Sequence, residues 1–383
     1  MQTLIGILIF LPFITFIIAV HEAGHFVAAR RFGMKVTEYF IGFGPWKIWA
    51  RRKGELEYGV KPIWIGGYVK IAGMNPYESN PPEDAPRLYG AKPIWQRAIT
   101  IFAGPGTHFV LAALIFATGF YFFGNGGPRG ETRLTLGTVD ATLEGQPSPA
   151  QRAGLLPGDV ILAIAGDERP TSDELIAAFT TLAEDHPGQA AQLRIERDGH
   201  VSTVSVTPVL THSDDGSVIG RIGVVLSSEA TPQRMGIVGA TVHGVAEVGY
   251  VIADSVRQIG RVFSPSGIGR TFGLLFNDQP RDPERDPTSV VGVSQAVGIV
   301  GSAGAWALLF FIFGFITVFV GLINLVPLPP FDGGHLLVLA IEKVRGRAVD
   351  MRKLIPVSAA VMAFFVMFVA ATVLLDLTKP IVR

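Results

Sequence analysis

His21-Glu22-Ala23-Gly24-His25 closes an uncharged, apolar run at residues 3–20, and its reading decides what kind of chain this is. On a helix, histidines four positions apart share a face and can bind one zinc ion, while the glutamate beside the first reaches a water at that ion. Ionisable groups directly after such a run sit at or within a bilayer, where they are costly and usually functional. No basic residue precedes the apolar run, unlike a cleaved signal peptide, so the segment is expected to stay attached as a membrane span.

A catalytic zinc normally takes three protein ligands and keeps a fourth position open. The chain has no cysteine, so every ligand must be His, Asp or Glu. The best third ligand is Asp332, in Asn324-Leu-Val-Pro-Leu-Pro-Pro-Phe-Asp332-Gly-Gly-His335, because it is the one acid between Asp286 and Glu342. The prolines and paired glycines break a helix there, and irregular backbone is tolerated at membrane depth where it lines a protein cavity. Asn324 either hydrogen-bonds the substrate backbone or satisfies carbonyls of the broken helix. His335 is either a partner behind Asp332 or a solvent-facing residue at a helix start. His108, after Ala103-Gly-Pro-Gly-Thr107, either faces the site or only packs.

Composition supports a membrane. Of 383 residues, 49% are apolar and only 17% charged, which is richer in apolar residues than a soluble protein. Uncharged runs at 3–20, at 98–128, in the part of 287–331 from about residue 305, and at 354–375 are each long enough to span. They predict four transmembrane helices. The first and third cross in the same direction, so His21, His25 and Asp332 share a side. Every lysine lies within 35–92 or from 343 onward, and residues 26–97 carry twelve Lys and Arg against six acids. Residues 125–300 carry thirteen Arg against twenty-one acids. The positive-inside rule then makes the basic segments cytoplasmic and the long acidic segment, with both termini, external. Nothing in this pattern calls for a nucleic acid.

Between the spans the periodicity changes. Residues 33–95 alternate in short runs such as Trp64-Ile-Gly-Gly-Tyr-Val-Lys-Ile, which read as strands with glycine turns. They form either an edge that pairs with an extended substrate or a structural hairpin. Residues from about 134 to 226 read as one soluble α+β domain. Residues 233–263 have charges interleaved at helical spacing, which fits an amphipathic helix on the membrane surface or one packed on the soluble domain.

These motifs resemble the site-2 proteases, and within them the bacterial RseP-type intramembrane zinc metalloproteases. The resemblance rests on His21, Glu22 and His25, on Gly42-Phe-Gly-Pro45, on Phe102-Ala-Gly-Pro105 and on Asn324-x-x-Pro-x-Pro-x-x-Asp332-Gly, across nearly the whole chain. It implies zinc held by His21, His25 and Asp332, with Glu22 as base and Asn324 near the substrate. It implies a membrane-associated β-hairpin element that presents substrate through Gly66, Gly67 and Tyr68. It also implies one inserted PDZ-like domain whose carboxylate-binding loop contains Gly137, Thr138 and Val139.

The expected fold is a polytopic α-helical membrane protein. Its segments are 1–32 (first span), 33–95 (cytoplasmic-side loops and β element), 96–125 (second span), 126–227 (periplasmic PDZ-like domain) and 228–304 (periplasmic amphipathic helix and loop). There follow 305–335 (third span), 336–353 (cytoplasmic loop) and 354–377 (fourth span). The implied activity is hydrolysis within or near transmembrane segments of single-span proteins such as anti-sigma factors, already cut by another protease, in the bacterial inner membrane with the active site towards the cytoplasm. Two departures from the family pattern stand out. His108 occupies a position where relatives often have Asn, and one PDZ-like domain is present where some relatives have two. A non-proteolytic scaffold and a metal transporter are the rival classes. The intact Glu22 speaks against the first, and the lack of a chain of ionisable residues through the other spans speaks against the second.

Overall fold

The computed structural model describes residues 2–75, 77–124, 132–143, 145–164, 167–168, 172–212, 218–230, 235–283 and 285–381. The chain divides into two compact units, one of Met1–Phe122 with Met235–Arg383 and one of Phe123–Arg234. In chain order the first unit opens with α1 (Gln2–Arg31), β1 (Val36–Phe43), β2 (Trp49–Lys53), β3 (Leu56–Val60), β4 (Ile63–Ile71) and α2 (Ile94–Phe123). The strands form one mixed sheet in the order β2-β3-β1-β4, with β1 parallel to β3 and antiparallel to β4. The element is thus larger than the expected hairpin. A parallel β1–β3 pair cannot come from a tight turn, so β2 returns the chain between them.

The second unit contains β5 (Thr132–Val139), β6 (Thr142–Leu143), β7 (Gln146–Pro147), α3 (Pro149–Arg152), β8 (Val160–Ile164), β9 (Asp167–Glu168) and α4 (Ser172–Asp185). It continues through β10 (Ala191–Arg197), β11 (His200–Val206), β12 (Val209–His212), β13 (Val218–Arg221) and β14 (Val224–Ala230). Its main sheet runs β11-β10-β8-β5-β14. Alternation along β10 buries Ala191, Leu193 and Ile195 against Leu175 and Phe179 of α4. The Leu156–Asp159 turn is fastened by Asp159, which accepts from Leu156 N at 2.9 Å and from Arg197 Nε and Nη2 at 2.6 Å.

Gly137, Thr138 and Val139 lie in β5. Thr138 and Val139 pair with Val225 and Val224 of β14. Gly137 falls at the register shift of that ladder.

The first unit resumes with α5 (Ile237–Val262), α6 (Pro265–Gly273), α7 (Val290–Ser302), α8 (Trp306–Asn324), α9 (Asp332–Arg345) and α10 (Ile355–Thr378). Among the described residues five helices are long and apolar enough to cross a membrane, so this is a multi-pass membrane protein. Four lie where the uncharged runs predict spans; the fifth is α5. Its charges mimic a surface helix, yet Val248 and Val251 pack with Ala112, Phe116 and Val318 of α2 and α8. At Gly244 it presses on the α2 backbone, 2.7 Å from Ala117 N to a notional Cβ. Residues 290–302 are likewise a helix and not loop. They pack on α1, where Gly6 meets the backbone of Ser294 and Gly298. Small residues permit such close contact between apolar helices.

Candidate metal centre

Helix α1 carries His21 and His25 on one face, and α2 crosses it there through small residues. A Cβ on Gly24 would lie 2.8 Å from Thr107 Cγ2, and one on Gly104 would lie 2.5 Å from His25 Cε1 and 2.9 Å from His21 Cε1. Both glycines are therefore required for α2 to cover the histidines. Asp332 comes from the other end of the chain. Helix α8 stops at Asn324, residues 325–331 fold back, and α9 starts at Asp332. The paired glycines after Asp332 allow that fold, because a Cβ on Gly334 would lie 2.6 Å from the Leu328 carbonyl carbon. Phe331 stacks edge-on against Phe365 of α10 with ring centroids 5.1 Å apart, which holds the segment from the far side.

Three donor atoms converge. Asp332 Oδ2 lies 3.2 Å from His21 Nε2 and 3.3 Å from His25 Nε2, and the two Nε2 atoms are 3.1 Å apart. Among the described residues this is the one such trio of His, Cys, Asp or Glu. The histidines are 9% and 8% exposed, so little water screens them. Asp332 Oδ2 is sealed from solvent and accepts no well-directed hydrogen bond. Tetrahedral donors about 2.0–2.1 Å from a zinc ion stand about 3.3–3.4 Å apart, so the trio fits that ion. The remaining imidazole nitrogens are engaged behind the site: His25 Nδ1 lies 2.8 Å from the Thr100 carbonyl and His21 Nδ1 lies 3.0 Å from His108 Nε2.

Glu22 points to the same place from the sheet side. Its carboxyl lies beside the Val69 backbone and within electrostatic reach of both histidines and Asp332. Gly67 leaves room for it, since a Cβ there would lie 3.3 Å from Glu22 Cγ. Gly66 and Gly67 belong to β4, whose one ladder is to β1, so among the described residues its outer edge is open beside α1. Tyr68 projects from the opposite face to Gly67. It stacks on Phe40 and Phe43 and donates to Glu38 Oε2 at 2.7 Å. Burial and that carboxylate hold its phenol above the usual range. The Tyr68 side chain is thus structural, and only its backbone belongs to the edge.

Asn324 Nδ2 donates to the Val320 carbonyl at 3.0 Å, which satisfies part of the helix end. His335 lines a cavity of about 220 Å³ with Met74, Tyr77, Pro330 and Leu354, within electrostatic reach of Asp332 and His25. Gly104 and Thr100 were not legible as site residues: a glycine and a backbone carbonyl carry no chemical signature of their own.

A His-His-Asp trio with both histidines buried in an apolar helix, and with an adjoining glutamate, defines a membrane-embedded metallohydrolase. The chain belongs to peptidase family M50, whose model matches residues 9–369. It is 31% identical to the zinc metalloprotease Rip1 of Mycobacterium tuberculosis, over 100% of this chain and 99% of the relative. It is 32% identical to Rip1 of Mycolicibacterium smegmatis over 98% of each. It is also 31% identical to the metalloprotease MmpA of Caulobacter vibrioides, over 90% of this chain and 89% of the relative. The protein is accordingly a zinc metalloprotease.

Proposed function

We propose that the chain is an intramembrane endopeptidase in which His21, His25 and Asp332 hold zinc and Glu22 moves the protons. The observation that carries this reading is the convergence of three donor atoms beside a glutamate in the C-terminal half of the membrane helix α1. When bound, zinc supplies Lewis acidity to the scissile carbonyl and acidity to the attacking water. Glu22 accepts the water proton and returns it to the leaving amine nitrogen. The open edge of β4 at Gly66, Gly67 and the Tyr68 backbone takes the unwound substrate as an added strand, which presents successive peptide groups to Glu22. Asn324, its amide nitrogen held by Val320, keeps its amide oxygen as an acceptor for that unwound backbone.

Four helices, α1, α2, α8 and α10, cross the bilayer in this reading. Helix α5 starts beside the end of α2, where His243 meets Phe120. After α6, the carbonyls of Leu274 and Asn277 accept from Lys379 at the end of α10. Those two helix ends share a side in a four-span chain, so α5 and α6 enter and leave on one side as a re-entrant pair. The basic segments place the metal towards the cytoplasm and the Phe123–Arg234 unit, which we read as PDZ-like, in the periplasm. The substrates are single-span membrane proteins, such as anti-sigma factors, whose outer portion has been shortened by another protease.

The test is cleavage of a tagged single-span protein with a shortened outer portion, in membranes, by the wild type and by Glu22→Gln. A cytoplasm-facing fragment from the wild type alone, abolished by a zinc chelator, is expected. Equal cleavage by both proteins would remove Glu22 from the mechanism.

A further inference from the structure

We infer that His108 is a positioning residue that selects the metal-binding tautomer of His21. The inference rests on the metal-centre reading and deepens it. His108 Nε2 lies 3.0 Å from His21 Nδ1, and His21 Nε2 faces Asp332 and His25. One proton is shared between the two imidazoles, and it has two places. If His108 donates, His21 Nδ1 accepts, its proton sits on Nε2, and the lone pair needed for a metal is lost. If His108 Nε2 accepts, His21 carries its proton on Nδ1 and presents a lone pair at Nε2. Only the second arrangement serves the trio.

For His25 the same choice is made by the Thr100 carbonyl, which can only accept. His21 has no carbonyl in that position, and His108 takes its place from α2. The ring is held for the task. His108 is 1% exposed, and α8 backs it so closely that a Cβ on Gly321 would lie 2.9 Å from His108 Cβ. Its Nδ1 is buried and has no hydrogen-bond partner. That nitrogen carries the proton in the accepting tautomer, so the ring's one polar contact is the one made to His21. A partner behind a ligating histidine typically changes metal affinity by about 10–100-fold.

The test is zinc affinity of the purified full-length chain in detergent, by competition with a chromophoric chelator. His108→Leu removes the acceptor at similar volume; His108→Gln places an amide oxygen near the former Nε2. His21→Ala reports the loss of the ligand itself. The expected result is zinc binding weakened about 10–100-fold in His108→Leu and close to wild type in His108→Gln. The cobalt-substituted protein provides a second readout: its visible bands should shift in His108→Leu and not in His108→Gln. Wild-type affinity in His108→Leu overturns the inference, as does equal weakening in both variants, which would make ring volume the cause. A wild-type chain that binds zinc no better than His21→Ala overturns the metal-centre assignment, and the inference with it.

Discussion

Replacing Gly104 with alanine places a methyl group where α2 crosses the two histidines. The added carbon would stand 2.5 Å from His25 Cε1 and 2.9 Å from His21 Cε1. Carbon atoms rest about 3.5–4.0 Å apart, so the methyl and the rings must separate by about 1 Å at His25 and about 0.6 Å at His21. Overpacking of this kind costs about 1–3 kcal/mol of stability. Alanine's better helix propensity offsets about 1 kcal/mol of that, so the fold should survive. The site should not. Metal–ligand distances hold to about ±0.2 Å, and a 1 Å misplacement at a catalytic centre costs about 10²-fold. Gly104→Ala is therefore expected to unfold near the wild-type temperature, to retain little zinc after purification, and to cleave a tagged single-span substrate at least about 10²-fold more slowly. Gly106→Ala is the control on the same helix: its methyl meets only the Phe102 ring, with Cε1 at 3.3 Å and Cδ1 at 3.6 Å. Full zinc content and normal cleavage in Gly104→Ala would refute the close packing of α2 on the imidazoles.

Glu22→Gln should keep zinc and lose cleavage by about 10²–10⁴-fold, the usual share of a general base; a zinc assay alongside the cleavage assay separates the two effects. Asp332→Ala should lose zinc and activity together, and a fully active, zinc-bound variant would remove Asp332 from the ligand set. Arg281 and Asp376 form an ion pair at 2.5 Å with each side chain 1% exposed, so Arg281→Met leaves a buried carboxylate. The cost should be about 3 kcal/mol, the low end for a broken buried pair, because Asp376 still accepts from Ser289 and Gly292. Unfolding in detergent measures it, and an unchanged transition would count against a stabilising role for the pair. In the Phe123–Arg234 unit, burial acts to raise the Asp159 carboxyl, but the Arg197 guanidinium and the Leu156 amide outweigh it and hold it below the usual range. The folded unit then binds fewer protons than the unfolded chain. This stabilisation is complete above about pH 4, the unfolded value, and is lost as pH falls through the folded one. Hydrogen exchange of the unit in wild type and Asp159→Asn should converge as the solution is acidified; a difference that grows in acid would contradict the sign.

The candidate metal site was legible because its chemistry is carried by residue types at fixed spacing. His21 and His25 share a helix face by periodicity alone, and an acid isolated in an apolar region, Asp332, stands out as costly unless used. The helix break before Asp332 was equally plain, since proline and glycine act locally. The alternating β10 and the four uncharged runs follow from periods of two residues and from bilayer thickness. The fate of α5 and α7 was not legible. Interleaved charges on α5 and scattered glycines in 290–302 describe what those helices can tolerate, not which neighbour they press against. The local conformation of Gly137–Val139 was not legible for a related reason: a glycine-containing run looks alike in a loop and at a strand irregularity, and only pairing with β14 distinguishes them. By itself, then, the sequence determined the candidate ligand types, the glutamate beside them and the membrane setting. The tertiary structure alone decided that His108 lies behind His21, 87 residues away, and that Gly104 closes over both histidines. Those contacts arise from helix crossings, and a crossing depends on the shapes of two surfaces at once, which no local pattern records.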